Sequence, residues 1–381
     1  MDFKRGAPYK QARPFSLCGK EKMMKKRQLF VFAGQSNMMG ACVFPPRRQV
    51  EIRDSYEYLH KGVRMGSAEG EFRAAGFPCG EFVYCDLAAA YPEGIAPEAR
   101  SAMGDYRANT YFVPSMCNLK DEEARTAEPF AAYSEQRFLP GPTLAPYLAQ
   151  EWEKRGHACA YAHIAKGAVS ILHYFDDAMT EQYNRNVRDK NLPYPMRSAD
   201  DMSRGASAYF AQKSADFFRD SQKAFPLEDT TERCLFWLQG ESDVQMAAEE
   251  YQMLMEILWE RAKQIGFTRF FCVRVGYFGN EGILSVMKAQ EDFCALTPDA
   301  YMLTRACSFF PYAGQAEEWF LHQPAEEYQL CRDSFYGFDN QHINEKGFLL
   351  TAKRAAENLE RVLLREEAPV LETENVRGMI G

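Results

Sequence analysis

Five short, mostly apolar runs separated by longer amphipathic stretches constrain the fold of this 381-residue chain more than any other feature. Near-continuous apolar runs are typical of strands that are buried on both faces of a parallel sheet. Runs of this kind that alternate with helical patterns indicate βαβ units. We therefore predict an α/β fold with a central, mostly parallel five-stranded sheet, with strands at Leu29–Ala33, Cys159–Ala165, Cys234–Leu238, Phe270–Val275 and Tyr301–Ala306.

Four amphipathic stretches are predicted to form helices that pack on this sheet. Their apolar residues recur at spacings that place them on one face of a helix. The glycines at positions 156 and 266 are expected to end the first and third of these helices. The apolar faces are Leu144, Leu148 and Trp152; Tyr209, Phe210 and Phe217; Leu254, Ile257, Leu258 and Ile265; and Phe348, Ala352, Ala355, Leu359 and Val362.

Composition and charge exclude several classes of protein. Apolar residues make up 46% of the chain and charged residues 26%, which is enough to build a packed core and excludes a wholly disordered chain. A net charge of −8 is unfavourable for general binding to nucleic acid or to a membrane surface. The longest apolar runs have about five residues, whereas a membrane-spanning helix needs roughly 20. We therefore expect neither nucleic acid nor a membrane as a partner.

The two ends of the chain are expected to lie outside the main domain. Residues 1–28 carry nine Lys or Arg against two Asp or Glu, and we interpret residues 1–27 as a basic N-terminal arm. A solvated flank is favoured over a contact with an anionic partner. Residues 28–365 are predicted to form a single domain, and residues 366–381 a flexible C-terminal tail. Because the N-terminus shows no apolar secretory segment, a cytoplasmic location is expected.

The sequence shows no motif for a metal or an organic cofactor. Its 11 cysteines are scattered, odd in number and without a C-x-x-C pair, so neither a disulfide framework nor a zinc site is predicted. The glycine-rich motifs of dinucleotide and phosphate sites and the H-E-x-x-H zinc motif do not occur either. The oligomeric state is not indicated by the sequence.

Two long connections follow the first and second predicted strands. Residues 41–139 form a 99-residue segment, whereas loops within α/β units usually take about 2–6 residues. Residues 167–204 form a second, polar and tyrosine-rich connection. Both leave the ends of strands, where α/β sheets place their binding sites. We interpret residues 41–139 as an insertion with partial structure of its own and both segments as walls of a substrate cleft, with surface decoration as the alternative.

A serine directly follows the first predicted strand, in the sequence GQSNMMG at 34–40. Its position predicts that the Ser36 side chain is exposed at the carboxyl edge of the sheet, where backbone N–H groups can stabilise an oxyanion. The motif is not the G-x-S-x-G of lipases, because Met38 stands where glycine is required. After the second strand, Gly167 allows a backbone N–H to approach a ligand closely. A plain turn remains the alternative for both positions.

A candidate base lies near the other end of the chain, in the sequence FDNQHIN at 338–344. A serine is a weak nucleophile until a base removes its proton, and histidine is the usual base. A carboxylate next to the histidine fixes its tautomer and stabilises the imidazolium. Asp339 and His342 are three residues apart, which brings them to one side of a helical turn. A surface histidine in a loop is the alternative.

Polar residues also follow the third predicted strand, in the sequence QGESD at 239–243. The side-chain amide of Gln239 can donate a hydrogen bond to an oxyanion. Ser242 is a rival nucleophile, but two neighbouring acids raise the pKa of a serine rather than activate it. We therefore prefer the serine of the first motif and interpret Glu241 and Asp243 as supporting residues.

These four blocks occur in the order found in the SGNH hydrolase superfamily, and they resemble most closely its sialate O-acetylesterase and acetylxylan esterase branch, carbohydrate esterase family six. GQSNM at 34–38 is similar to the nucleophile block, Gly167 falls at the second-block glycine, WLQGESD at 237–243 is similar to the third block, and DNQH at 339–342 fits the D-x-x-H block. Two departures concern the substrate more than the reaction: the second block is KGA rather than GGT-like, and the insertion is longer than expected.

The resemblance implies a three-layer α/β/α, flavodoxin-like SGNH hydrolase fold and a serine esterase. It implies Ser36 as the nucleophile, His342 as general base and then acid, and Asp339 as the residue that orients His342. The implied oxyanion hole consists of the backbone N–H groups of Ser36 and Gly167 and the side chain of Gln239. The implied substrate is a small-molecule or oligosaccharide O-acetyl ester, and no metal or organic cofactor is required.

Three functions are compatible with these residues. The favoured one is a carbohydrate O-acetylesterase. The second is an esterase of the same superfamily that acts on lipid, thioester or other small esters, because aromatic residues of the insertion suit an acyl pocket as well as sugar rings. The third is a non-catalytic glycan-binding protein on the same fold, since a fold alone does not determine function.

Overall fold

The computed structural model describes residues 28–39, 52, 54–59, 81–84, 143–165, 167–198, 204–224, 232–276, 280–308, 342–343 and 345–372. The strands in these ranges are β1 (Gln28–Gly34), β2 (Tyr56–Leu59), β3 (Glu81–Tyr84), β4 (Cys159–Ala165), β5 (Arg233–Leu238), β6 (Arg269–Val273) and β7 (Ala300–Thr304). The helices are α1 (Ser36–Met39), α2 (Leu144–Lys154), α3 (Asp177–Asp189), α4 (Arg204–Ala224), α5 (Ala248–Ile265), α6 (Ile283–Leu296) and α7 (Glu345–Arg365), with a 3₁₀ turn at Ile171–Tyr174.

All of these strands belong to one sheet, in the order β3-β2-β4-β1-β5-β6-β7. The five strands predicted from the sequence are confirmed, and each is parallel to its neighbours among the five. Numbered among themselves along the chain, the five follow the order 2-1-3-4-5, which is the flavodoxin-like order. The α/β fold class with flavodoxin-like topology is therefore confirmed.

Two further strands, which the sequence analysis did not predict, extend the sheet beyond β4. Both come from the 41–139 insertion: β2 pairs parallel with β4, and β3 pairs antiparallel with β2. Side chains fix this region to the body of the fold. The Tyr58 hydroxyl donates to Asp220 Oδ2 of α4 at 2.6 Å, and Ser55 Oγ accepts the backbone N–H of Cys159 at 3.1 Å. The beginning of the insertion is thus part of the sheet.

One face of the sheet carries a row of stacked aromatic rings. Phe32 stacks on Phe236 with ring centroids 4.6 Å apart, Phe236 on Phe271 at 5.3 Å, and Phe271 on Tyr301 at 5.7 Å. These residues occupy equivalent positions on four neighbouring parallel strands, whose spacing of about 4.8 Å matches the distance between stacked rings. The register of the central strands is therefore reinforced by side chains as well as by backbone hydrogen bonds.

Helices cover both faces of the sheet and complete the three layers. On the face of Phe30, α2 brings Trp152 against that ring at 6.3 Å, and α2 and α7 pack against each other. On the opposite face, Phe270 meets Trp259 of α5 at 5.7 Å and Phe293 of α6 at 5.0 Å. Helix α5 also packs against α3 and α4. The four helices predicted from apolar faces are all present.

The ends of two helices follow the predicted glycines, whereas the short helix α1 and the helices α3 and α6 were not predicted. Gly156 after α2 and Gly266 after α5 have φ values of 83° and 120°, the left-handed region in which glycine ends helices readily. Helix α3 lies in the connection that we interpreted only as a polar cleft wall. Its buried Met179, Tyr183 and Val187 recur every four residues, so the signal was present but was obscured by the polar residues between them.

The first part of the predicted flexible tail is packed on the domain. Residues 366–372 continue from α7, and Glu372 at their end is 1% exposed. Its carboxylate accepts hydrogen bonds from Thr304 Oγ1 at 2.6 Å and from the backbone N–H of Arg305 at 2.7 Å, and it lies 3.4 Å from Arg354 Nε. Buried polar partners at the end of β7 therefore hold this segment, contrary to the expectation of a flexible tail over these residues.

We expect Glu372→Ala to lower the free energy of unfolding by about 3 kcal/mol, because the buried Thr304 hydroxyl, the backbone N–H of Arg305 and the Arg354 side chain lose a charged acceptor. Urea unfolding followed by circular dichroism measures the change. Glu367→Ala is the matched control, since Glu367 is 46% exposed in its pair with Arg361 and such pairs contribute about 0–1 kcal/mol. Equal losses in the two variants would contradict a specific role for Glu372.

The remaining domain predictions lie outside the described residues. They concern the basic arm at 1–27, the tail beyond residue 372 and most of the insertion at 41–139.

Candidate active site

The predicted site residues gather at the carboxyl ends of three adjacent strands. Ser36 follows β1, Gly167 follows β4, and residues 239–243 follow β5, and the order β4-β1-β5 makes these strands neighbours in the sheet. The chain changes from one side of β1 to the other here, and ligands of open α/β sheets bind at such a switch point. The strand order thus brings together three of the four sequence blocks.

The Ser36 turn requires the glycine that precedes it. A Cβ atom at Gly34 would lie 2.0 Å from the carbonyl oxygen of Leu238, so the two backbones meet without room for a side chain. The next residue, Gln35, donates its backbone N–H to the same carbonyl at 3.2 Å. Ser36 begins the short helix α1 and is buried, with 7% of its surface exposed, so the prediction that its side chain is exposed at the edge of the sheet is wrong. Close contact between the ends of β1 and β5 therefore sets the position of Ser36.

Gly167 lies directly beside this serine. A Cβ atom at Gly167 would be 4.0 Å from Ser36 Cβ and 3.1 Å from the terminal methyl of Met39. The next residue, Ala168, has a φ of 55°, the left-handed region that a residue with a side chain adopts only at a cost. The predicted proximity of Gly167 to Ser36 is thus present in the structure, whereas Lys166 of the same block lies outside the described residues.

The side chain of Asn37 connects the turn of Ser36 to the histidine block. Asn37 Oδ1 accepts the backbone N–H of Ile343 at 2.9 Å, and Asn37 Nδ2 donates to Glu241 Oε1 at 2.5 Å. His342 is the residue before Ile343 and is partly exposed. One amide therefore links three of the blocks and brings His342 next to the turn of Ser36. Asp339, the predicted partner of His342, lies outside the described residues.

Glu241 is a buried carboxylate at the centre of this arrangement. Burial raises the pKa of Glu241, and the hydrogen bond from Asn37 and the charge of His342 act in the opposite direction. No described residue donates a hydrogen bond to its buried Oε2 atom. The sequence predicts only a supporting role for Glu241, whereas the structure places its carboxylate within electrostatic reach of His342.

Gln239 is fully buried, and its amide is bound to other parts of the protein. Its Nε2 lies 3.0 Å from Gln35 Oε1, 3.0 Å from Val169 O and 2.5 Å from Asp243 Oδ2. Tyr251 donates to its Oε1 at 2.7 Å. Because an amide has only two N–H bonds, these acceptors use the donors that an oxyanion would need. Gln239 therefore joins the loops that follow β1, β4 and β5. Its role as an oxyanion donor stays a prediction.

The rival nucleophile Ser242 faces away from this network. Its side chain is exposed, and its backbone N–H donates to Gln35 Oε1 at 3.2 Å. The adjacent Asp243 is buried and accepts from Gln239. Of the two serines, only Ser36 lies beside the glycine of the second block.

His163, which was not among the predicted site residues, contacts the short helix α1 that begins at Ser36. It lies on β4, is 3% exposed, and its Nε2 is 2.6 Å from the carbonyl oxygen of Met38 in α1. Burial lowers the pKa of His163 to about 4, so the ring is neutral near pH 7 and its Nε2–H donates to that carbonyl. A histidine within an otherwise apolar strand was the available signal.

The buried His163 makes stability depend on pH in a predictable direction. The unfolded chain protonates this histidine as the pH falls through about 6.5, whereas the folded protein resists protonation down to a pKa of about 4. Acid therefore favours unfolding across this window by about 3 kcal/mol. Asp243 has the opposite effect on stability, because burial raises its pKa to about 6. Its carboxylate takes up a proton in the folded state as the pH falls from 6 to 4, whereas in the unfolded chain it stays ionised until about pH 4, so acid favours folding through this group.

We therefore expect acid to destabilise the wild type more than His163→Gln. From pH 7 to pH 4, the free energy of unfolding of the wild type should fall by about 3 kcal/mol relative to that of the variant. The glutamine amide can donate to the Met38 carbonyl without titrating, and the contribution of Asp243 cancels in the difference. Urea unfolding of both proteins at the two pH values tests this. Parallel pH profiles would show that His163 is not buried in its neutral form.

Comparisons with known proteins show only remote similarity. Neither a protein-family model nor a curated protein matches the sequence. A protein of known structure from Arabidopsis thaliana is 14% identical with a TM-score of 0.41, over 87% of this chain and 97% of that one. A carbohydrate acetylesterase from Xanthomonas citri is 12% identical with a TM-score of 0.43, over 89% of this chain and 56% of that one.

No helix in the described ranges combines the length and the apolar character needed to cross a membrane. The same residues contain no group of three or more His, Cys, Asp or Glu arranged to hold a metal ion.

Proposed function

We propose that this protein is a serine esterase that removes O-acetyl groups from carbohydrates through an acyl-enzyme on Ser36. The observation that carries the proposal is the pair of hydrogen bonds made by Asn37 to Glu241 and to Ile343. Ser36 lies at the end of β1, and His342 lies 306 positions further along the chain. The side chain of Asn37, next to Ser36, binds the backbone of Ile343, next to His342, and so brings the two distant residues to the same site.

The proposed reaction needs only groups of this chain and water. Ser36 Oγ attacks the acetyl carbonyl carbon while His342 takes the hydroxyl proton, and the carbonyl oxygen becomes an oxyanion. The backbone N–H groups of Ser36 and Gly167 stabilise that charge. The sugar alkoxide leaves with the proton from His342, and the acetyl group stays on Ser36. Water then attacks the acetyl group in the same way, which releases acetate and restores the serine.

Carboxylates support the histidine during this cycle. The imidazolium that forms on His342 is stabilised by negative charge nearby, and Glu241 supplies such a charge among the described residues. Asp339 is proposed to orient the ring, on the basis of the D-x-x-H spacing. The carbohydrate specificity rests on the resemblance of the four blocks to family six, and the two departures in the second block and the insertion leave the sugar open.

Hydrolysis of p-nitrophenyl acetate and butyrate, together with active-site labelling, tests the proposal. We expect hydrolysis that favours acetate, and mass spectrometry after treatment with a fluorophosphonate should locate the adduct on Ser36. Acetylated xylo-oligosaccharides and O-acetylated sialic acid then define the sugar.

Each alternative has its own outcome in this experiment. A preference for longer acyl chains would favour the lipid or small-ester alternative. No hydrolysis, no adduct and retained binding to glycans would favour a non-catalytic glycan-binding protein.

A further inference from the structure

We propose that Asp243 is a positioning residue that holds the turn at 167–171, and with it the backbone N–H of Gly167, beside Ser36. The inference rests on the proposed esterase and adds to it a residue that acts on the oxyanion site through another segment. It accounts for a buried carboxylate that the proposed reaction itself does not use.

Asp243 accepts hydrogen bonds from two consecutive residues, Ser170 and Ile171, that follow Gly167 in the chain. Its side chain is buried, and its Oδ1 accepts a very short hydrogen bond from Ser170 Oγ. Its Oδ2 accepts the backbone N–H of Ile171 at 3.0 Å. Because each oxygen of one rigid carboxylate binds a different residue, the turn is fixed in orientation as well as in distance.

Asp243 is itself held by the loop after β5. The backbone N–H of Asp243 donates to the carbonyl of Gly240 at 2.9 Å, and Gln239 Nε2 donates to Asp243 Oδ2 at 2.5 Å. The same Gln239 amide reaches the Val169 carbonyl at 3.0 Å. The chain of contacts therefore runs from the end of β5 through Asp243 to the turn that carries Gly167.

This turn needs external support because its backbone is strained. Ala168 adopts a φ of 55°, and a residue with a side chain persists in that region only where its surroundings impose it. On the far side of the turn, the Tyr174 hydroxyl donates to the carbonyl of Gly34 at 2.7 Å and accepts its N–H at 3.1 Å. Asp243 and Tyr174 therefore both hold the segment that directly follows the strained residue.

The test is Asp243→Asn in the full-length protein. Asparagine keeps the shape but replaces an accepting oxygen with a donating NH₂ group, so it cannot accept from Ser170, Ile171 and Gln239 together. For p-nitrophenyl acetate we expect kcat to fall by about 10- to 100-fold and KM to change less than about threefold, because oxyanion donors act in the transition state. Deuterium exchange in the peptide covering residues 166–174 should become faster.

Two further variants separate positioning from general destabilisation. Ser170→Ala removes one of the two gripped donors and keeps the carboxylate, and we expect a smaller fall in kcat of about 3- to 10-fold. Asp189→Asn removes a carboxylate that is 61% exposed at its side chain, and we expect no change in kcat or in exchange at 166–174.

The results separate this inference from the proposed function. Unchanged exchange at 166–174 in Asp243→Asn would overturn the holding role. Faster exchange with an unchanged kcat would overturn the link to the oxyanion site. A wild type without hydrolysis or fluorophosphonate adduct would remove the esterase proposal and the catalytic part of this inference with it, while the exchange data would still decide whether Asp243 holds the turn.

Discussion

Ser36→Ala is expected to lower kcat for p-nitrophenyl acetate by at least about 10⁴-fold, with the folded structure unchanged. Removal of the nucleophile of a serine hydrolase leaves only the weak assistance of the remaining site, and losses of about 10⁴ to 10⁶ are usual. The substitution deletes one oxygen atom from a residue at the start of α1. Its backbone N–H stays in place, so the proposed oxyanion site loses no donor.

Ser242→Ala is the matched control for this experiment. Ser242 lies in the same site region, but its side chain is exposed and only its backbone N–H takes part in a described hydrogen bond. We expect this variant to retain activity within about twofold, because the exposed hydroxyl makes no described hydrogen bond and surface substitutions usually change the free energy of unfolding by less than about 0.5 kcal/mol. Retained activity in Ser36→Ala together with its loss in Ser242→Ala would reverse the assignment of the nucleophile. Thermal unfolding of both variants shows that the comparison is made between folded proteins.

Gly34→Ala is expected to lower the free energy of unfolding by more than about 4 kcal/mol, which places it among the most damaging single substitutions. The new Cβ would lie 2.0 Å from the carbonyl oxygen of Leu238 and 2.8 Å from the carbonyl carbon. These are backbone atoms, and the same carbonyl accepts the N–H of Gln35. The clash can therefore be relieved only if β1 and β5 separate at the site.

Gly167→Ala provides the comparison for this prediction. There the nearest atom to the new Cβ is the terminal methyl of Met39 at 3.1 Å, and methionine adapts easily to small changes in volume. We expect a loss below about 1 kcal/mol. Chemical unfolding of the two variants measures the difference. A Gly34→Ala protein as stable as the wild type would mean that the ends of β1 and β5 lie further apart than described.

The central strands could be predicted because burial on both faces requires a continuous run of apolar residues. Most of the helices could be predicted because burial on one face requires apolar residues at helical spacing. β1 and β5 consist almost entirely of buried residues, and no polar face interrupts their apolar runs. Strands β2 and β3 are only four residues long, and so short a segment shows no periodicity that separates it from a loop. The pairing of β2 with β4 and of β3 with β2 decides that they are strands.

The chemistry of the site was predicted better than its geometry. Residue types and spacing pointed to Ser36, Gly167 and His342, and the structure places Gly167 beside Ser36 and links the turn of Ser36 to the residue after His342. The same reasoning cannot tell which polar group a buried amide will meet. Gln239 is predicted to donate to the oxyanion, and this stays a prediction, whereas the structure shows that its amide meets Gln35, Val169 and Asp243.

The bond between Asn37 and Ile343 spans 306 residues, and it has a consequence for how the protein becomes active during its synthesis. The serine is among the first parts of the described domain to leave the ribosome, and the histidine block is among the last. β1 also lies between β4 and β5, so the first of the described strands is flanked on both sides only when more than half of the chain exists. If the proposed mechanism holds, a nascent chain carries Ser36 for most of translation without the histidine proposed to activate it, and the proposed activity arises only once the region of the C-terminal helix has been made.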